Sequence, residues 1–243
     1  RPPPMPAPTR IITTTITTMN DAPETIADAK PTLLRLLAWL SPGFPTGAFA
    51  YSHGLEWAVE TSDITDGASL QAWLTDVVAN GSGRNDAILL RLAHRAARNA
   101  TALEQLAEFA AAVAASRERH AETLDQGTAF LRAARAWNRP SGLDRAAYPV
   151  AVGALAGWHG IDEHLTTAAY LQAFASNLVS AAIRLVPLGQ TTGLQVVAAM
   201  EPIVLRVAND TTAATEDDIG GCTFRSDLAA MRHETQYTRL FRS

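Results

Sequence analysis

The sequence predicts an all-α protein, a single-domain bundle of roughly eight to ten helices. Three observations carry that prediction. From Pro31 onward, apolar residues recur three and four positions apart, the spacing that puts side chains on one face of a helix. After residue 30 no segment alternates apolar and polar residues at period two, and no Asn-Gly or Asp-Gly turn joins two apolar runs. Alanine fills about one position in five, which suits helices that cross closely with a small side chain at each contact.

The elements follow in order. Leu33, Leu36, Leu37 and Leu40 share one face of a first helix. Leu70, Trp73, Leu74, Val77 and Val78 repeat the spacing, with Asp66 placed to cap the free N–H groups of the first turn. Gly81 reads as the end of that helix and the start of the next. Thr101-Ala-Leu-Glu104 has the form of a capping box ahead of Leu103, Leu106, Ala110 and Val113. Leu171, Phe174, Leu178, Ala181 and Leu185 step by three and four. Ala175, Val179 and Ile183 beside them are apolar too, so this helix is expected to be buried on most sides and stopped by Pro187 and Gly189. Val196, Val197, Met200, Val204 and Val207 predict another helix, interrupted or kinked by Pro202. Residues 1–30 break the pattern with five prolines in the first eight positions and a Thr/Ile stretch from Ile11 to Thr18. They are expected to be a disordered tail, leaving 31–243 as the helical domain.

Composition removes several functions. Charged residues are 18% of the chain, net charge is −4, and Lys30 is the only lysine, so no basic block exists to bind nucleic-acid phosphates. The single cysteine, Cys222, excludes a disulfide scaffold and a Cys-cluster zinc site, and it fits a reducing, cytoplasmic setting. No apolar run reaches the roughly 20 residues that span a bilayer; Leu178 to Leu188 comes nearest and contains Arg184 and Pro187. Membrane and nucleic-acid partners are therefore not expected. A soluble chain short of charge has less polar surface, so either it is compactly buried or part of its surface is expected to be covered by something else.

Tests for chemistry give little. Gly81-Ser82-Gly83-Arg84 lacks the lysine of a phosphate-binding loop. Among the six histidines no pair stands at i, i+4; His53 and Glu56, at i, i+3, could share a helical face, but a metal site needs three or four converging ligands. Cys222 follows Gly220-Gly221 without a nucleophile motif around it. No catalytic residue, metal or cofactor is assigned.

Two segments resist a pure packing account. Residues 41–56, Ser-Pro-Gly-Phe-Pro-Thr-Gly-Ala-Phe-Ala-Tyr-Ser-His-Gly-Leu-Glu, hold two prolines, three glycines and three aromatics. Such a loop holds Phe44, Phe49, Tyr51 and His53 on a stiff backbone, as a protein-contact surface requires; the alternative is a helix connection with buried aromatics. The second segment, 225–243, carries Arg225, Arg232, Arg239 and Arg242 with His233, Glu234 and Tyr237, and its apolar stripe from Leu228 and Met231 runs into Glu234. Its last turns lack an obvious dock within the chain, so it reads as a partner-binding segment or a solvated tail.

Both segments carry a family resemblance. Residues 41–56 resemble the N-terminal signature of the urease accessory protein family UreF, and Met-Arg-His-Glu-Thr-Gln-Tyr-Thr-Arg-Leu-Phe-Arg-Ser (231–243) resembles that family's C-terminus. Ser-Arg-Glu-Arg-His (116–120), Tyr-Pro-Val-Ala-Val-Gly (148–153) and the run 170–190 fall between them in the family's order. The resemblance implies a UreF-like all-α fold and a non-enzymatic, homodimeric adaptor. It would bind UreD (also called UreH), recruit the GTPase UreG and act on apo-urease during nickel insertion. The family's C-terminal segment is ordered on binding UreD, and modulation of GTP hydrolysis through an arginine is a further implied role. Carried over, the candidate partner-binding residues are Phe44, Pro45, Thr46, Gly47, Phe49, Tyr51, Ser52, His53 and Glu56 in the loop. In the tail they are Arg225, Asp227, Arg232, His233, Glu234, Tyr237, Arg239, Leu240, Phe241 and Arg242. The competing readings are an α-helical hydrolase using Cys222 or a histidine, and an independent nickel carrier.

Overall fold

A computed structural model of the chain describes residues 31–138 and 142–243; the expected tail, 1–30, lies outside them. Among the described residues the chain forms ten α-helices, three short 3-10 turns and no strand. The helices are α1 (Pro31–Trp39), α2 (Leu55–Glu60), α3 (Gly67–Asn80), α4 (Ser82–Arg95), α5 (Ala100–Ala112), α6 (Arg117–Ala133), α7 (Tyr148–Trp158), α8 (Glu163–Leu185), α9 (Gly189–Asp210) and α10 (Phe224–His233). None of them is long and apolar enough to cross a membrane.

Local chemistry sets most boundaries. Asp66 accepts the Ser69 N–H at 2.8 Å while Ser69 Oγ accepts the Asp66 N–H at 3.0 Å, a reciprocal box that starts α3. Gly81 closes α3 and opens α4 in one residue, as expected. The box expected at Thr101 is not the start of α5. Asn99 caps it, accepting from Ala102 N at 3.1 Å, because asparagine is the better cap and comes first along the chain. Pro202 does not interrupt α9, which runs through it. Pro202 and Ala198, whose carbonyl loses its i+4 donor, are both exposed, so the freed acceptor is open to solvent.

The core is built around α7. Pro149 to Ala156 are all buried, and the helix has no solvent face. Its tightest neighbour is α4. A Cβ on Gly153 would collide with the Leu90 carbonyl and one on Gly157 with the His94 carbonyl, so the two backbones touch along one glycine face. Gly127 of α6 is pressed in the same way against the carbonyl of Ala146. Trp39, fully buried, meets Phe130 and Trp137 edge-on at 6.4 and 5.9 Å, and Phe44 lies 5.3 Å from Phe130. Arg91, 1% exposed, bonds Glu163 of α8 and, at 3.2 Å, Thr211 Oγ1 beyond α9, so one charge ties three helix ends.

The α1 face departs from the ordinary amphipathic pattern. Leu36 and Trp39 are buried, but Leu33, Leu34 and Leu37 are exposed. Leu33 and Leu37 border a groove of about 720 Å³ between α1, the 41–51 loop and α8, also lined by Leu178 and Arg184. The i, i+3, i+4 spacing marks an apolar face correctly, yet nothing in this chain's described residues covers it.

Candidate functional site

The 41–56 loop and the C-terminal tail meet. After α1, Pro42 and Pro45 restrict the chain, and Gly47, at φ +76°, turns it into the 3-10 turn Ala48–Ala50. That turn exposes Phe49 at 73%. Behind it, Arg184 of α8 donates to the Phe49 carbonyl at 2.8 Å, and the Asn177 amide donates to the Ala48 carbonyl at 3.3 Å. His53 (φ +59°) and Gly54 (φ +79°) make a second left-handed turn into α2. Gly54 is fixed twice over, because a Cβ there would also stand 2.7 Å from the Ala230 nitrogen of α10.

The tail lies along this loop. The Arg242 N–H donates to the Ala50 carbonyl at 2.8 Å, and the Ser52 N–H donates to the Ser243 carbonyl at 2.6 Å. The Ser243 hydroxyl donates to Glu122 at 2.6 Å. Glu56 accepts the Leu240 and Phe241 N–H groups at 2.6 and 2.9 Å, one on each carboxylate oxygen. Arg239 pairs with Glu118 at 2.8 Å. Phe241 is buried, with the Arg184 guanidinium 4.4 Å over its ring, so one arginine holds both the loop and the tail. The tail thus has the intramolecular dock that its broken stripe did not suggest.

Buried charges underpin the joint. Burial, the largest single influence, would push the Glu122 carboxyl up, but the Arg119 guanidinium and the His53 ring beside it together outweigh burial and hold it well below the usual carboxylate range. Burial, reinforced by Arg119, lowers His53 to about 4, so this ring is neutral and Arg119 is the cation that matters. Burial raises Asp86 to about 6, partly offset by Arg119 and by the Tyr170 hydroxyl that donates to it at 2.7 Å. Burial and the 3.0 Å bond to Asp125 push the Tyr51 phenol up to about 12. Ser82 Oγ, His53 Nε2 and Glu122 stand in the order of a nucleophile–base–acid relay, with 2.6 Å between the first two. The relay fails at its second link: His53 Nδ1 is 3.6 Å from Glu122 without a hydrogen bond, and a ring titrating near 4 is a weak base.

The predicted site residues divide into two layers. Thr46, Tyr51, Ser52, His53, Glu56, His233 and Phe241 are buried, while Phe44, Gly47, Asp227 and Glu234 are half-buried. Pro45, Phe49, Arg225, Arg232, Tyr237, Arg239, Leu240 and Arg242 are exposed. Tyr237 has no cover at all, and the outer face of α10 adds Phe224 (72% exposed), Leu228 and Met231. Arg225 is tied to Asp63 and lies 5.6 Å over Trp73. His53 and Glu56 do not share a helical face as their spacing suggested. His53 precedes α2 in a left-handed turn and points to Ser82, whereas Glu56 faces the tail. Cys222 is exposed. Among the described residues no three His, Cys, Asp or Glu side chains converge as metal ligands.

Comparison with known proteins agrees with this architecture. The UreF family profile matches residues 64–201. A urease accessory protein UreF from Mesorhizobium japonicum is 53% identical over 229 residues, covering 93% of this chain and all of its own. Those from Xanthobacter autotrophicus and from Bradyrhizobium sp. BTAi1 are 54% and 53% identical, covering 89% and 88% of this chain and 93% and 92% of theirs. The chain belongs to the UreF family of urease accessory proteins.

The residues that complete the joint were outside the predicted set. Glu118, Arg119, Glu122 and Asp125 of α6 and Arg184 of α8 supply the acceptors and the cations. The available signal was compositional: 116–122 is a dense charge cluster in a charge-poor chain, and it overlaps a segment that resembles the UreF family.

Proposed function

We propose that this chain is a non-catalytic adaptor of urease maturation in the cytoplasm, acting as a homodimer that joins UreD (UreH) to the GTPase UreG for nickel insertion into apo-urease. Membership of a family named for urease accessory function supports the general role. The observation that carries the adaptor reading is the loop–tail joint. Buried Glu56 and Ser52 hold the backbone of 240, 241 and 243 and buried Glu122 the Ser243 hydroxyl, while Phe49, Tyr237 and Leu240 stand outside among Arg232, Arg239 and Arg242. Exposed aromatic and arginine side chains on a rigid support are the composition of an interface hot spot. The exposed leucines of α1 and Leu165 of α8 offer a second apolar surface, suited to the homodimer contact. An exposed arginine of the tail would modulate GTP hydrolysis by lending charge to the phosphoryl transition state.

Capture of the chain by immobilised UreD tests the reading. Removing residues 236–243 is expected to lower capture at least about tenfold, the loss of roughly 1.4 kcal/mol that one hot-spot contact carries. Full retention by a truncated chain that keeps its helical circular dichroism would overturn it.

A further inference from the structure

His233 is wholly buried, and each of its ring nitrogens faces a carboxylate. Nδ1 is 2.6 Å from Glu118 Oε2 and Nε2 is 3.2 Å from Glu56 Oε2. A carboxylate accepts and does not donate. Neither glutamate can take up the bridging proton without disturbing bonds it already accepts: Glu56 those of the Leu240 and Phe241 N–H groups, Glu118 that of Arg239. An imidazole with one N–H would satisfy one glutamate and turn a lone pair on the other. Only the imidazolium donates to both. With it, two carboxylates face two cations, His233 and Arg239, and the buried cluster is neutral.

We propose that this cluster is a proton-dependent latch: the second proton on His233 holds residues 236–243 against Glu56 and Glu118, and its loss frees them. The surrounding charges fit that assignment. From α2, Glu60 receives the Gln236 amide. From α6, Arg119 pairs with Glu122, and Arg117 pairs with Glu234 of the α10 end. Arg239 is the tail's own contribution. When the ring loses its second proton, Arg239 still pairs with Glu118 but one of the two buried carboxylates faces an imidazole lone pair, an arrangement costly in a dry site. Lifting 239–241 lets water reach both, and those residues are the ones whose N–H groups and guanidinium the glutamates hold.

The consequence for partners rests on the adaptor reading, since the latched tail is what presents Tyr237 and Leu240; the latch itself does not. Amide exchange on the intact chain measures it directly. Protection of Leu240 and Phe241 is taken relative to the α7 amides from Val150 to Ala156 at each pH, which removes the common base catalysis of exchange. As pH rises, this ratio is expected to fall by up to about tenfold per pH unit, the limit for one linked proton. Nitrogen-15 spectra of the His233 ring should show two N–H groups while the tail is protected. In Glu118→Gln the amide N–H can donate to Nδ1 of a neutral ring whose Nε2–H still reaches Glu56, so the pH dependence should flatten. A constant ratio in the unmodified chain, or a neutral ring beneath a protected tail, would overturn the latch even if the truncated chain is still lost from UreD. Conversely, a falling ratio together with full capture of the truncated chain would keep the latch and remove the adaptor surface.

Discussion

The α4–α7 crossing and the loop–tail joint are both tight, but they are tight for opposite reasons. At the crossing, Gly153 and Gly157 bring one backbone onto another, each pressed against a main-chain carbonyl. At the joint, Glu56, Glu118 and Glu122 reach from helices to hold main-chain N–H groups, a hydroxyl and a guanidinium. The first contact is steric and indifferent to pH; it can only be broken by adding atoms. The second is electrostatic and can be opened by moving a proton while the helices stay packed. A chain with few charges has placed several of them where they fasten its C-terminal segment to the helices.

The largest expected effect comes from the steric side. Gly153→Val should cost more than about 3 kcal/mol in urea unfolding, or prevent folding, because the new Cβ meets the Leu90 carbonyl rather than a side chain that could turn aside. A loss below about 1 kcal/mol would mean that the crossing yields, and the contrast with the joint would weaken.

Asp86 of α4, hydrogen-bonded to Tyr170 of α8, sharpens the electrostatic side. Its folded pKa of about 6 lies above its ordinary 3.8, so the folded state binds more protons between these values. The contribution of Asp86 to stability therefore falls as pH rises through that window. Asp86→Asn, which keeps an acceptor for the Tyr170 hydroxyl, should stabilise the chain by about 1–2 kcal/mol at neutral pH and by almost nothing near pH 4. Equal effects at both pH values would show that Asp86 is not carrying the burial penalty. The smallest stability change belongs to Phe49→Ala, within about 0.5 kcal/mol, since the ring is exposed; its expected effect is on UreD capture, and a normal capture would take Phe49 out of the surface.

What could be read from the chain depended on whether a signal was one-sided and local. α3 was legible from one apolar stripe and its cap Asp66, and α8 from apolar residues stepping by three and four up to the stop at Pro187. α7 gave no stripe, since Pro149 to Ala156 are buried all round, and a helix without a face has no periodicity to find. The α1 spacing was real, but periodicity states that a face is apolar, not that this chain buries it. Both unusual segments of the site were visible as composition. Their junction was not: Glu56 lies 184 positions from Leu240 and Glu118 lies 121 from Arg239, and charge pairing at such separations leaves no local trace.

Glu56 grips the tail by its main chain, and that shapes how the protein can diversify. The N–H groups of residues 240 and 241 are common to every amino acid except proline. The side chain at 240, which points outward, is therefore free to change without loosening the grip. Lineages can retune what the tail recognises through residue 240 while Glu56 stays fixed. A substitution at Glu56, by contrast, would be felt at 240 and 241 at once, whatever residues they carry.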